Sequence, residues 1–135
     1  MKRIYTWDAQ FSLRKHTAAD IRACKGNTVL TQTTANTREE AAAAADAGID
    51  MLICNAANVE IVRTGAPHHF LTAALTIPDW QTDDDVLRGA LTALKQGADS
   101  IMTARRLEIV EMLAKEDIPV MGHLGLVPRK STWRG

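Results

Sequence analysis

The sequence predicts an α/β fold in which parallel strands alternate with helices. Between residues 28 and 121, short apolar or β-branched runs alternate with longer stretches of helical pattern. Alanine is abundant and aromatic residues make up 4%, as is common where helices pack on parallel strands. Such alternation implies right-handed crossovers, and it agrees with either an open doubly wound sheet or a partial barrel. Three alike junctions, each leading from a helix past an acidic residue into an apolar strand, support this fold class: Gly48-Ile49-Asp50, Gly97-Ala98-Asp99 and Glu116-Asp117-Ile118.

The elements are predicted in a regular order after a polar lead-in. Residues 1–16 are expected to form an arm or an irregular lead-in before a domain at residues 17–135. Short apolar or β-branched runs predict strands at residues 29–34, 49–54, 70–77, 100–103 and 118–121. Helical patterns predict helices at residues 18–25, 37–48, 59–62, 82–95 and 107–115.

Helix starts are marked by capping residues. Thr17 is expected to cap the first helix, and Thr37 with Glu40 has the spacing of a capping box. Acidic residues at 83–85 favour a helix start there, because carboxylates stabilise the first turn. No Gly-x-Gly-x-x-Gly follows the first strand, which argues against a dinucleotide-binding fold.

Composition narrows the class of protein. Sixteen basic and sixteen acidic residues give a formal charge of zero, without the basic excess that a nucleic-acid partner requires. No apolar stretch approaches the roughly 20 residues of a membrane span, and the N-terminus lacks an apolar signal core. Cys24 and Cys54 form neither a disulfide framework nor a zinc motif, and Cys54 is expected to be a buried thiol. We therefore expect a cytoplasmic protein that binds neither nucleic acid nor membranes.

Residues 118–128 carry the most specific motif in the chain. The stretch Ile-Pro-Val-Met-Gly-His-Leu-Gly-Leu-Val-Pro closely resembles the segment I/V-P-V-x-G-H-L/I-G-L-T-P of the ketopantoate hydroxymethyltransferase family. Thr34-Ala35 is similar to the start of that family's T-A-Y-D motif. Ala47-Gly48-Ile49-Asp50 and Gln96-Gly97-Ala98-Asp99 are similar to its helix-to-strand junctions.

The resemblance implies a parallel (β/α)8 TIM-type barrel, of which this chain would form the N-terminal half with about five strands. It implies hydroxymethyl transfer from methylenetetrahydrofolate, as co-substrate, to 3-methyl-2-oxobutanoate, with Mg²⁺, on the route to pantothenate. Family members are about twice this length, so we expect a fragment or a truncated chain. A half barrel would leave strand edges unpaired, so pairing of two copies into a homo-oligomer is the expected alternative to a missing half.

The same resemblance places the site residues at the carboxyl ends of the strands. The family's Gly-Asp-Ser after its second strand aligns with Asn55-Ala56-Ala57, and its second metal-binding Asp aligns with Thr76. Its Lys-x-Glu aligns with Met102-Thr103-Ala104, while His123 stands at the position of the family's histidine. Asn55, Thr76 and Thr103 are therefore candidate substrate-binding residues, and His123 is the candidate catalytic residue.

Two consequences follow for chemistry. Mg²⁺ prefers hard oxygen ligands, usually carboxylates, and the aligned positions lack them, so we expect no metal bound in the family's manner. We hypothesise that Arg105 replaces the lost positive charge and binds an oxo-acid or phosphate; the alternative is a solvated arginine, which is the expectation for Arg106. His123 either acts on a substrate oxygen as an acid or base, or only hydrogen-bonds backbone within its loop.

Several polar residues keep simpler interpretations. Asn55 and Asn58 either bind a carbonyl or carboxylate or cap the following helix, with Asn58 the better placed cap. His68 and His69 are expected at the surface, because neighbouring side chains diverge. The basic, aromatic tail is expected to be an exposed loop, with folate or anion contact as the alternative: Arg129, Lys130, Trp133 and Arg134.

Three functions from different classes remain open. The first is the family's hydroxymethyl transfer, and the second is a metal-independent lyase or transferase of the same superfamily that acts on another small oxo-acid. The third is a non-catalytic protein, either a ligand-binding barrel or a structural subunit.

Overall fold

The structure, a computed structural model, describes residues 1–134 and begins with an antiparallel hairpin. Strands β1 (Lys2–Tyr5) and β2 (Phe11–Arg14) pair with Lys2 opposite Arg14 and Tyr5 opposite Phe11. The expected irregular lead-in at residues 1–16 is therefore wrong in its local structure. Contacts with the rest of the fold stabilise the hairpin: the Lys15 amide donates to the His68 carbonyl at 2.7 Å, and the Arg14 side chain is buried.

Five parallel strands form the main sheet in the order of the chain. They are β3 (Gln32–Thr34), β4 (Met51–Asn55), β5 (Phe70–Leu75), β6 (Ser100–Thr103) and β7 (Val120–Gly122). A doubly wound sheet reverses its strand order at a switch point, whereas barrel strands follow one another without reversal. The sequential order β3-β4-β5-β6-β7 is that of a barrel segment, and it decides between the two sheet types that the alternation alone allowed.

Helices lie where the sequence predicts them at α1 (Ala18–Ala23), α2 (Arg38–Asp46), α3 (Val59–Gly65), α4 (Asp83–Lys95) and α5 (Leu107–Lys115). A further helix, α6 (Ser131–Arg134), lies in the tail that was expected to be a loop, so that expectation is wrong in its local structure. Short 3-10 turns at Ala56–Asn58 and Pro128–Lys130 precede α3 and α6. Capping boxes are present at α1, α2 and α4, where Thr17, Thr37 and Thr82 are the N-caps. Within residues 1–134, no helix combines the length and the apolar character that crossing a membrane requires.

Two strands begin two residues later than predicted, for a shared reason. The amides of Ile49 and Ile118 donate back to the carbonyls of Ala44 and Leu113, which closes the C-termini of α2 and α5. The residue before each of them has a positive φ, 78° at Gly48 and 58° at Asp117, as this helix ending requires. In both places, an apolar residue that the pattern assigns to a strand instead closes the preceding helix.

The core lies between the helices and one face of the sheet. Alternate strand residues are fully buried there: Leu52, Cys54, Leu71, Ala73, Leu75 and Ile101. The helices contribute small and aliphatic side chains, among them Ala41, Val62, Val86, Leu94 and Leu113. Gly65 allows α3 to approach α2 closely, since a Cβ there would lie 2.2 Å from the Arg38 carbonyl oxygen. Small residues such as Gly65 and Ala41 therefore allow the helices to pack closely.

The acidic residues of two junctions have a structural role. The Asp50 carboxylate accepts from the Thr31 amide at 2.7 Å, and the Asp99 carboxylate accepts from the Leu71 amide at 2.9 Å. Each carboxylate therefore binds the backbone of the preceding strand. Asp99 also pairs with two arginines, Arg14 and Arg63, each at 2.8 Å, and so joins the hairpin to the sheet.

Of the two adjacent histidines, His69 is buried and His68 is half-buried. His69 is 4% exposed, and its Nε2 accepts from the Lys15 ammonium at 2.9 Å. His68 is half-buried and its Nδ1 lies 3.3 Å from the Leu13 carbonyl oxygen. The prediction that both are surface residues is wrong for His69, because the hairpin covers it. This pair lies before β5, at the opposite end of the sheet from the strands' carboxyl ends.

Candidate functional site

The carboxyl ends of the five parallel strands form one edge of the sheet, here called the rim. Strand ends Thr34, Asn55, Leu75, Thr103 and Gly122 define it. Ligand sites of parallel α/β folds lie at this edge, because loops and polar groups converge there. The predicted site residues all stand at or directly beyond these ends.

His123 follows β7 and is fixed through both its backbone and its ring. Its amide donates to the Thr103 carbonyl at 2.9 Å, and its ring Nε2 lies 3.0 Å from the Leu126 carbonyl oxygen. A carbonyl only accepts, so Nε2 carries the proton. In the neutral ring Nδ1 is then an acceptor, and it has no hydrogen-bond partner among the described residues. The loop bond expected of a merely structural histidine is present, yet it leaves Nδ1 available for a ligand.

Arg105 stands just beyond β6 and orders the loop that follows β5. Its Nη1 donates to the carbonyls of Trp80 and Gln81 at 3.0 and 3.1 Å, while its Nη2 lies 3.9 Å from the Asp83 carboxylate. Arg106 pairs more closely with Asp83, at 2.7 Å, and is half exposed, as expected for a solvated arginine. Part of the Arg105 guanidinium is therefore committed to backbone, and the remaining donors border the rim.

Lys130 reaches back to the end of β6 from the turn before α6. Its ammonium donates to the Ala104 carbonyl at 2.6 Å, across 26 residues of sequence. Its own amide donates to the Val127 carbonyl at 2.9 Å, which fixes the turn. Lys130 is half-buried, so the expectation of a plain exposed loop is wrong for this residue.

These side chains enclose a basic cleft of about 240 Å³. Four cationic side chains and His123 line it, together with apolar and glycine residues, and no acidic residue is part of the lining: Arg105, Arg106, Leu107, His123, Leu124, Gly125, Val127, Lys130 and Arg134. A second cleft of about 180 Å³ adjoins it through His123 and Val127, and it also contains Thr76 and Ala104. The rim positions 76, 104 and 123 therefore gather around one hollow.

The other predicted residues lie around this hollow in different ways. Thr76 donates its hydroxyl to the Asp79 carboxylate within the loop after β5. Thr103 is 1% exposed, and its hydroxyl accepts from the Arg105 amide at 3.2 Å. Thr103 thus supports the loop that carries Arg105, while Thr76 faces the second cleft.

Asn55 belongs to a separate polar cluster at the β3–β4 end of the rim. Its side chain accepts from the Ala57 amide at 3.1 Å and caps the 3-10 turn, whereas Asn58, the expected better cap, makes no capping bond. Asn36 is a residue that the sequence prediction did not include. Its side-chain oxygen accepts from the Asn55 backbone amide at 2.8 Å and from the Asn58 side-chain amide at 3.1 Å. Its place directly after Thr34-Ala35, at a predicted strand end, was the signal that could have identified it.

The rim residues of this chain do not fit Mg²⁺ at the family's metal positions. The Asn55 side-chain oxygen is occupied by a backbone amide, the Thr76 hydroxyl by Asp79, and Ala104 offers only a methyl group. Across residues 1–134 no three His, Cys, Asp or Glu side chains cluster as metal ligands do. These three positions therefore offer no carboxylate to a divalent ion that prefers such ligands.

Comparisons with known proteins agree with this architecture. The 2,3-dimethylmalate lyase of the PEP mutase/isocitrate lyase superfamily superimposes with a TM-score of 0.60 at 11% identity, covering 88% of this chain and 53% of that one. A protein assigned as a deoxyribose-phosphate aldolase from Coccidioides immitis gives a TM-score of 0.58 at 17% identity, over 77% of this chain and 55% of that one. These identities establish the fold alone, which is that of a TIM-type barrel segment.

Sequence relatives are more specific. The 3-methyl-2-oxobutanoate hydroxymethyltransferase 2 of Bradyrhizobium diazoefficiens is 38% identical over 76 residues, covering 53% of this chain and 26% of that protein. The 3-methyl-2-oxobutanoate hydroxymethyltransferase of Pyrobaculum neutrophilum is 36% identical over 77 residues, covering 54% and 30%. The match thus spans less than a third of these relatives. The sequence profile described as ketopantoate hydroxymethyltransferase matches residues 54–135, more than half of the chain. The chain belongs to the ketopantoate hydroxymethyltransferase family.

Proposed function

We propose that this chain forms the oxo-acid-binding part of a barrel enzyme that holds its substrate with cationic side chains instead of Mg²⁺. The observation that carries the proposal is the basic cleft at the rim, which has no acidic residue in its lining. Asp83 pairs with Arg106 and approaches Arg105, but Lys130 and Arg134 have no carboxylate partner among the described residues. An excess of positive charge in a partly enclosed cleft favours a small anion.

The substrate class follows from what the cleft offers. A carboxylate is matched by the ammonium of Lys130 and the free donors of Arg105, since charge-assisted hydrogen bonds are the strong ones. A neighbouring keto oxygen is matched by Nδ1–H when the His123 ring carries both protons, and a substrate proton is matched by the same Nδ1 when the ring is neutral. A small 2-oxo acid presents both groups on adjacent carbons, so we assign this class to the cleft.

Hydroxymethyl transfer to 3-methyl-2-oxobutanoate is the second candidate for the reaction itself. It is favoured by the family match over residues 54–135 and by the intact Gly-His-Leu-Gly loop at residues 122–125. The one-carbon donor would be methylenetetrahydrofolate. The aligned positions supply no carboxylate for Mg²⁺, so a transferase built on this chain would depend on cations of its own or on residues outside it.

The binding proposal is tested by titration calorimetry of the full-length protein with 3-methyl-2-oxobutanoate, once with EDTA and once with excess Mg²⁺. We expect the same affinity in both buffers. Arg105→Met should weaken binding about tenfold, the equivalent of one charged hydrogen bond. Arg88→Met, at an exposed position on α4 outside the cleft, is the matched control and should leave affinity unchanged. Binding that requires Mg²⁺, or Arg105→Met that behaves like Arg88→Met, would contradict the proposal.

Product analysis separates the reactions. Formation of the hydroxymethylated acid from 3-methyl-2-oxobutanoate and methylenetetrahydrofolate would assign the family reaction. Binding without turnover of either substrate would assign a ligand-binding barrel.

A further inference from the structure

We infer that Lys130 binds the substrate's carboxylate and that His123, beside it, contacts the adjacent keto group. The inference rests on the proposed function and assigns a role to a residue of the loop after β7. It gives the cleft a direction: the acid end of the ligand lies toward the Lys130 ammonium, and the carbonyl lies toward the imidazole.

The backbone of His123 and the side chain of Lys130 are both anchored at the end of β6. The His123 amide is bound to the Thr103 carbonyl at 2.9 Å, and the Lys130 ammonium is bound to the Ala104 carbonyl at 2.6 Å. Thr103 and Ala104 are consecutive, so their Cα atoms are about 3.8 Å apart. The His123 backbone and the Lys130 ammonium are therefore both tied to the end of β6, and the two side chains line the same cleft. A ligand with adjacent carboxylate and keto groups can contact both.

Lys130 is a half-buried cation of the cleft that no carboxylate among the described residues compensates. Arg105 donates to two carbonyls through Nη1 and lies near Asp83, and Arg106 is paired with Asp83. The ammonium of Lys130 has three donors, of which one binds a neutral carbonyl, and no carboxylate lies within ion-pair distance among the described residues. Because the residue is half-buried, water screens this charge incompletely, and an anionic ligand would complete its coordination.

The decisive experiment compares two ligands that differ only at the keto group. Binding of 3-methyl-2-oxobutanoate and of 3-methylbutanoate, which keeps the carboxylate but has no carbonyl beside it, is measured with the full-length protein and its variants. Lys130→Met should weaken both acids by the same factor, about tenfold or more, because it removes a charged contact to a group they share. His123→Ala should weaken the oxo acid more than the plain acid.

Two further variants make the result specific. Lys130→Arg keeps the charge and should recover most of the affinity that Lys130→Met loses. Lys95→Met removes an exposed lysine from the last turn of α4, at the other end of the fold, and should bind both acids like the unaltered protein. Thermal unfolding of each variant identifies any loss of folding, and a mere packing defect would not be restored by arginine.

The outcomes distinguish a failure of the proposed function from a failure of the role assigned to Lys130. If the unaltered protein binds neither acid, the proposed function and this inference both fail. If it binds the oxo acid and Arg105→Met weakens binding, but Lys130→Met behaves like Lys95→Met, the proposed function stands and the role of Lys130 is wrong. Unequal effects of Lys130→Met on the two acids would also overturn it, since they would place the ammonium at the keto group.

Discussion

Asp99→Asn tests the ion cluster that joins the N-terminal hairpin to the sheet. The Asp99 carboxylate pairs with the guanidinium groups of Arg14 and Arg63, both at 2.8 Å, and accepts the Leu71 amide. The Arg14 side chain is 4% exposed and that of Arg63 15%, so neither charge can be rehydrated without opening the structure. The substitution keeps the shape of the side chain but removes the only carboxylate paired with these two arginines among the described residues.

The expected loss of stability is about 3 kcal/mol. Removing one partner of a buried pair costs roughly 3–5 kcal/mol, because the other charge is left uncompensated. The lower end applies here, since Arg63 also donates to the carbonyls of Ala66, His69 and Gly97, and Arg14 to that of Pro67. For a domain of this size, about 3 kcal/mol corresponds to a fall in Tm of roughly 10 °C.

The matched control is Asp50→Asn, at the equivalent junction of the preceding strand. Asp50 accepts hydrogen bonds from the Thr31 amide and hydroxyl, but it has no arginine partner among the described residues and is partly exposed. We expect a cost of about 1 kcal/mol there, because an asparagine oxygen can still accept these bonds and no buried charge is left uncompensated. Urea denaturation followed by circular dichroism measures both variants. If Asp99→Asn costs no more than Asp50→Asn, the argument that buried arginine charge dominates is refuted.

Three further predictions follow from burial and close contact. Gly65→Ala should cost about 1–3 kcal/mol in urea denaturation, because its Cβ would meet the Arg38 carbonyl oxygen at 2.2 Å and force α2 and α3 apart; an unchanged midpoint would contradict that packing. Burial, followed by the charge of Lys15, lowers the pKa of His69, so its contribution to stability is present above pH 6.5 and is lost as pH falls below it; His69→Gln should flatten this part of the pH profile of Tm, and an unchanged profile would rule it out. Burial raises the pKa of the Cys54 thiol to about 11, so iodoacetamide at neutral pH should modify the half-buried Cys24 first, as mass spectrometry would show; equal labelling of both thiols would count against it.

The local features of the fold could be predicted from the sequence because their causes are local. Thr17 and Thr37 cap helices, as predicted, through side chains only three residues from their partners. Strand β6 and helix α5 agree with the predicted residues 100–103 and 107–115, since apolar periodicity sets them directly. Strands β4 and β7 begin later than predicted, because the amides of Ile49 and Ile118 close the preceding helices. The apolar pattern does not distinguish this role from the start of a strand.

The candidate site could be predicted in part. The motif at residues 118–128 located His123 and the family, and the alternation of elements located the rim. Asn36 was missed, and Lys130 was assigned to an exposed loop with anion contact only as the alternative, because their contacts with Asn55 and Ala104 join residues distant in sequence. Composition likewise gave no reason to expect the hairpin at residues 1–16, whose stability comes from Arg14 and the carbonyl of His68.

The sequence alone determined the caps at Thr17 and Thr37, the strand–helix alternation, the family resemblance and the absence of carboxylates at the positions that align with the family's metal ligands. Only the tertiary structure decided the sequential strand order, the burial of His69 and the assembly of Arg105, His123 and Lys130 around one cleft. The reason is physical: caps and periodicity are set by interactions between residues a few positions apart. Charge compensation and burial depend on which distant segments meet, as Arg14 meets Asp99 across 85 residues.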